Sequence, residues 1–249
     1  MAIIFPVLLY HSIKDAPDRG EQRWTVAPRL FDAHVDLITQ SRWSSLTVTG
    51  LATALISNAL PPSPLAITFD DGYADTLDAA TKLAEAGLKS TVFVTSGTVG
   101  HRDMLDHRAL AALAQVSHVE IGAHSVTHPR LDELSRSRIA IEVGHSKDEL
   151  ESLLGREIAS FAYPHGAYDQ RARAEVIARG FRSAAAVKNA LSHDRDDPFA
   201  IARWTVRSDT TVEQLAEILN GRQAPVAWAH TRLRTRAYRT WRRLRRRFT

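Results

Sequence analysis

The sequence predicts a single-domain α/β protein in which roughly seven strand–helix units close into a barrel, and three observations lead there. Short apolar runs alternate with segments of helical periodicity almost throughout, the pattern of parallel βα units. A chain of 249 residues suffices for one such barrel. Four polar clusters each follow a strand-like run directly: Tyr10-His11-Ser12, Asp70-Asp71-Gly72, His124 to His128, and Tyr163-Pro164-His165-Gly166. Parallel barrels gather their active sites at the carboxyl ends of the strands, so these clusters are expected to share one rim.

Phe5-Pro6-Val7-Leu8-Leu9 is the first strand. The apolar amino terminus has neither a basic leader nor a small-residue cleavage site, and no later segment offers eighteen apolar residues in a row. A cytoplasmic protein is the expectation. Pro28 opens a helix with Phe31, Val35 and Ile38 on one face. Pro61-Pro62-Ser63-Pro64 leads stiffly into the strand Leu65–Phe69. Leu77, Ala80, Leu83 and Ala84 mark a helix stopped at Gly87, and Ser90–Thr95 reads as the next strand. Residues 104–114 are helical by propensity, and Val119–Ala123 is a strand. Ser135 caps a long helix carrying Ile139, Val143, Leu150, Leu153 and Leu154 up to Gly155. Ile158–Ala162 is a strand, Gln170–Ala178 a helix closed by Gly180, and Phe181–Val187 and Ala200–Val206 are strands separated by a loop over 188–199. Val212, Leu215, Ile218 and Leu219 mark a last helix.

The barrel is expected over residues 1–230, followed by an Arg-rich tail over 231–249. That tail holds nine Arg and no acid, so the formal +4 less these nine leaves −5 on the rest. Leu233, Ala237, Trp241, Leu244 and Phe248 recur at helical spacing, which predicts a basic amphipathic helix. Two fates are open to it: peripheral contact with an anionic membrane, at the inner face for a cytoplasmic protein, or docking of its apolar stripe on the barrel. Nucleic acid is not an expected partner, because the body is acidic and carries no reading motif.

No Cys is present, so thiolate chemistry and Cys-ligated zinc are excluded and any metal must sit on His and carboxylate. One Asp and two His can hold a divalent ion with positions open for water and substrate. Asp71, His124 and His128 are the candidate ligands, with Asp70 free to handle a proton. Each half is ordinary alone: Asp-Asp-Gly is a common turn, and His-x-x-x-His arises by chance among eleven His. Their joint placement after strands favours ligation over an exposed capped turn. Neighbouring side chains alternate along a strand, so Asp70 and Asp71 serve one site only if the strand has ended, which Gly72 permits. Thr68 and Phe69 read as packing residues. By spacing, the chain is a metal-dependent hydrolase and no more.

The ordered motifs Tyr10-His11-Ser12-Ile13, Thr68-Phe69-Asp70-Asp71-Gly72, His124-Ser-x-x-His128 and Tyr163-Pro164-x-Gly166 resemble those of the polysaccharide deacetylases, the family 4 carbohydrate esterases, over residues 7–206. The resemblance implies a distorted (β/α)7 barrel, similar to a TIM barrel, that removes N-acetyl and sometimes O-acetyl groups from glycans with a divalent ion, often zinc, with cobalt or nickel as alternatives. It makes Asp70 the general base and Asp71, His124 and His128 the ligands. Tyr163, Pro164, His165 and Gly166 then form the substrate and oxyanion segment, the donor being the His165 backbone N–H.

Two departures stand out. The third motif usually carries an Arg that orients the base, and here Ala162 precedes Tyr163 instead. Arg203 is the candidate replacement, an exposed Arg being the alternative. The late Leu-x-His motif has only a faint echo in Ala227-Trp228-Ala229-His230. In a branch resembling the poly-N-acetylglucosamine deacetylases an early Tyr-His motif supplies the general acid, which assigns that role to His11, with His165 second. An acetylated saccharide is the implied partner, lipid-linked or polymeric. The alternatives are a glycan-binding barrel without turnover and an amidohydrolase for small non-sugar amides.

Overall fold

The computed structural model describes residues 2–17, 20–41 and 43–228. The Arg-rich segment 231–249, with its expected amphipathic helix, and Ala229-His230 lie outside the described residues.

Seven parallel strands form a closed ring: β1 (Val7–Tyr10), β2 (Pro64–Phe69), β3 (Ser90–Val94), β4 (Val119–Ala123), β5 (Ser160–Ala162), β6 (Ser183–Val187) and β7 (Ile201–Thr205). Each pairs with its neighbours in chain order, and β1 closes the ring between β7 and β2. All residues of β1, β2 and β3 are buried, because a barrel strand faces side chains within and helices without.

Seven α-helices are found among the described residues: α1 (Pro28–Thr39), α2 (Val48–Ile56), α3 (Thr76–Glu85), α4 (His107–Gln115), α5 (Arg136–Leu154), α6 (Gln170–Ala178) and α7 (Val212–Leu219). Side-chain oxygens of Thr47, Asp106, Ser135, Asp169 and Thr211 cap α2, α4, α5, α6 and α7 by accepting otherwise orphaned backbone N–H groups.

Helix α2, absent from the sequence expectations, plugs the base of the barrel. Val7, Ala66, Phe93, Ala162, Ala185 and Ile201, one from each of six strands, pack in one cluster with Phe5 and with Val48, Leu51, Ala52 and Leu55 of α2. The amino end of α2 is tied to three strands, since the Val48 N–H donates to Thr91 Oγ1, the Thr49 hydroxyl donates to Glu120, and that hydroxyl lies 3.4 Å from Ser183 Oγ. A short strand before it, Ser44–Leu46, pairs with the start of β2 on the edge that β3 takes further along. This wedge parts β2 from β3 at the base and distorts the ring.

Other boundaries also differ from expectation. The first strand breaks at Pro6: Ile4–Phe5 leaves the barrel to pair antiparallel with Ser192–His193, inside the segment expected to be loop. Helix α4 starts at His107, three residues later than expected, because Asp106 caps it and Met104 bridges Tyr73. Leu153, expected on the apolar face of α5, is 43% exposed.

Candidate active site

The carboxyl end of the barrel collects all four polar clusters. Strand β2 stops at Phe69, and Asp71 adopts φ +75°, a left-handed conformation followed by a second at Gly72, φ +85°. The break thus begins one residue before the glycine expected to supply it. Asp tolerates this conformation better than most side chains, and the turn brings Asp70 and Asp71 to one site despite strand alternation.

His124 directly follows β4 and is fully buried, and its Nδ1 lies 2.8 Å from the Ala162 carbonyl oxygen. A carbonyl only accepts, so Nδ1 carries the proton and Nε2 presents a lone pair. That lone pair faces Asp71 Oδ1 at 3.5 Å and Asp70 Oδ2 at 3.6 Å. His128 Nε2 lies 3.2 Å from the same Asp71 oxygen. Burial drives His124 down to about 3 against the pull of Asp70, and burial also lowers His128. Burial lifts Asp71 to about 6, opposed by His11 and aided by Asp70.

Electron pairs therefore converge on a space without a proton to share, and Asp71 Oδ1 is buried with no hydrogen-bond partner. A cation bound there would resolve that conflict. Metal–ligand bonds of about 2.0–2.1 Å in a tetrahedral site place neighbouring donors about 3.4 Å apart, close to the two separations from Asp71. All three donor atoms lie within 4.8 Å of one another. The donor set fits a divalent ion of the zinc type.

Arg203 is wholly buried, contrary to the exposed alternative, and reaches Asp70 from β7. Nη1 donates to Asp70 Oδ1 at 2.6 Å and Nη2 to Oδ2 at 2.8 Å, a parallel two-bond pairing. The guanidinium lies over the Phe93 ring, 5.4 Å from its centroid. Thr68, expected only to pack, accepts from Nη1 at 3.1 Å and donates to the Leu8 carbonyl. Burial would raise the Asp70 carboxyl, but Arg203, with His124 and His11, outweighs it and holds Asp70 at about 2.

His11 follows β1 at the same rim, half-buried, with Nδ1 buried and unbonded and its ring centroid 5.6 Å from that of Trp24. It is close enough to lower both Asp70 and Asp71 electrostatically. In the third motif Tyr163 is buried and its hydroxyl donates to the Phe199 carbonyl, so its side chain serves packing. Gly166 is required there, since a Cβ would lie 2.8 Å from Val187 backbone atoms. Between them His165, at φ +57°, is exposed, and its ring centroid is 4.4 Å from that of His128.

A family model described as polysaccharide deacetylase matches residues 57–184, just over half of the chain. YxkH of Bacillus subtilis, whose name places it among the polysaccharide deacetylases, is 28% identical over 167 residues, 66% of this chain and 58% of its own. The match therefore spans less than two thirds of that relative's length. Among solved structures, the Streptococcus pyogenes deacetylase PplD in complex with acetate is similar with a TM-score of 0.80 at 23% identity, over 88% of this chain and 99% of its own. IcaB from Ammonifex degensii is similar with a TM-score of 0.74 at 20% identity, over 87% and 97%. At these identities the structural likeness carries the fold.

Proposed function

The chain belongs to the polysaccharide deacetylase family, and we propose that it is a metal-dependent hydrolase removing acetyl groups, N-acetyl foremost, from a glycan or lipid-linked saccharide. The observation that carries this reading is the convergence of Asp71, His124 and His128 around one buried oxygen, with Asp70 alongside in the grip of Arg203.

Asp71 Oδ1, His124 Nε2 and His128 Nε2 would hold the ion. When bound, a divalent ion of this kind supplies Lewis-acid polarisation of the acyl carbonyl and of an attacking water. Asp70 takes the proton from that water. Its low pKa keeps it ionised at neutral pH, and Arg203 fixes the plane of the carboxylate, so orientation is gained at some expense of basicity. The His165 backbone N–H offers a donor to the developing oxyanion, a role that needs no particular side chain. His11, near enough to act electrostatically on Asp70 and Asp71, donates a proton to the leaving nitrogen.

Acetate release from soluble N-acetylglucosamine oligosaccharides tests the reading. Release is expected with zinc, cobalt or nickel and is expected to vanish with a chelator and in Asp70→Asn. Saccharide binding without release under every metal would favour a glycan-binding barrel without turnover, and release only from small non-sugar amides would favour an amidohydrolase.

A membrane contact is favoured by a separate observation. Backbone pairing joins residues 3–5, 191–194 and 225–227 into a small ribbon at the base, through Ile4 with His193 and Leu191 with Val226. Ile4 at 47%, Val226 at 38% and Trp228 at 63% are exposed there, and the chain runs on into the nine-Arg segment. Apolar side chains beside a basic cluster suit an anionic lipid surface. No helix among the described residues is long and apolar enough to cross a membrane. Flotation with anionic vesicles is expected for the full chain and reduced on removal of 231–249; equal recovery of both would remove this reading.

A further inference from the structure

Two ligands of the proposed ion sit on a loop that is strained. Ser125 and His128 both take left-handed conformations, φ +64° and +57°, without being glycine. Such a conformation is unfavourable for a residue with a side chain and persists only where its surroundings hold it. His124 and His128 face Asp71 together only while this loop keeps its shape.

The loop's backbone is accounted for from two sides. Ser96 and Gly97 donate their N–H groups to the Ser125 and Val126 carbonyls at 3.1 and 3.0 Å. The approach is so close that a Cβ on Gly97 would lie 2.5 Å from the Val126 oxygen. From the other side comes one carboxylate, Glu142 on α5, only 3% exposed. Its Oε2 accepts from the Val126 and Thr127 N–H groups at 3.0 and 2.9 Å, and its Oε1 accepts from the Thr127 hydroxyl at 2.6 Å. A buried carboxylate costs free energy unless its lone pairs are met, and these three donors all come from the loop between the two His.

We infer that Glu142 is a positioning residue: by clamping Val126 and Thr127 it sets the separation and aim of His124 and His128 and so tunes affinity for the ion they hold. It touches no ligand atom itself. Partners that orient ligands from behind commonly contribute about 10- to 100-fold to metal affinity. The inference rests on the reading of Asp71, His124 and His128 as ligands.

Zinc affinity of the metal-stripped protein, measured by competition calorimetry alongside thermal unfolding, tests it. Glu142→Asp keeps the charge but withdraws the carboxylate by a methylene, and it is expected to weaken zinc binding roughly 10- to 100-fold. Glu142→Gln, which can still accept both N–H groups and donate to the Thr127 hydroxyl, is expected to recover most of the affinity. Unchanged affinity in Glu142→Asp would overturn the inference even if the melting temperature fell. Should that variant not fold, Thr127→Val removes one of the three bonds and leaves Glu142 in place; a several-fold loss supports the inference and an unchanged constant overturns it. A wild-type chain that takes up no zinc overturns both this inference and the ligand assignment, whereas wild-type uptake with unaltered variants overturns the Glu142 role alone.

Discussion

Arg203 governs what Asp70 can do. Its two parallel N–H bonds fix the carboxylate plane, and a lysine offers only a point charge on a flexible stem. Arg203→Lys is expected to lower kcat for acetate release about 10- to 100-fold while zinc content, read by elemental analysis, stays at wild-type level. Equal kcat would show that orientation of Asp70 is unimportant. Arg203→Ala instead leaves a buried carboxylate unpaired, and denaturant unfolding is expected to report a loss of about 3 kcal/mol or more. His11→Ala is expected to keep its metal and lose roughly 10²–10⁴ in rate, and near-normal turnover would remove His11 as the acid. At this scale the convergence of Asp71, His124 and His128 was legible, because turn-forming residues stood directly after apolar runs. The pairing of Arg203 with Asp70 was legible only as a substitute for a missing motif residue, since 133 positions separate the two. Thr68 and Glu142 left no signal: one looks like any strand threonine and the other like a solvated helix charge, until the fold brings a guanidinium or a loop against them.

Secondary elements show the same division between local and distant causes. Helix caps such as Ser135 and stops such as Gly155 act within a few residues, so α5 starts and ends as the sequence predicts. Helix α2 was missed although Thr47 caps it and Val48, Leu51, Ala52 and Leu55 share a face, because two short, Ser- and Thr-rich segments there lack the clear alternation of the other units. The Ile4–Phe5 pairing with Ser192–His193 is wholly non-local and had no sequence signal. Thr47→Ala is expected to cost about 1 kcal/mol in urea unfolding by leaving the Gly50 N–H without its cap. Helix α6 is tied to the 188–199 segment by Arg173, which donates to both oxygens of Asp197 at 2.7 and 2.9 Å. Burial would raise Asp197, but the Arg173 hydrogen bonds and charge outweigh it and hold the carboxyl below its usual range. A depressed carboxylate contributes stability that is present above the unfolded value of about 3.9 and lost as pH falls through the folded value. Asp197→Asn is therefore expected to cost about 0.5–1 kcal/mol at pH 7, kept small by the solvent exposure of Arg173, with the difference closing below about pH 4. A difference independent of pH would contradict the assignment to charge.

The molecule as a whole separates its tasks along the barrel axis. The carboxyl ends of β1, β2, β4 and β5 carry the polar clusters, and the amino ends are sealed by α2 and by the ribbon that bears Ile4 and Val226. A barrel resting on lipid through that base would present its site away from the surface, which suits a saccharide chain extending outward. The fold class was readable because strand and helix periods alternate through the chain, and strictly sequential pairing left few topologies to consider. The wedge between β2 and β3 depends on which edge of β2 a short strand finds, a choice made only in three dimensions. Everything proposed about catalysis depends on one cation lying among three donors. A crystal of the zinc-loaded protein, measured at the zinc absorption edge, is expected to give a single strong anomalous peak about 2.0–2.2 Å from Asp71 Oδ1, His124 Nε2 and His128 Nε2. No peak there, or a peak bonded elsewhere while acetate release persists, would contradict it.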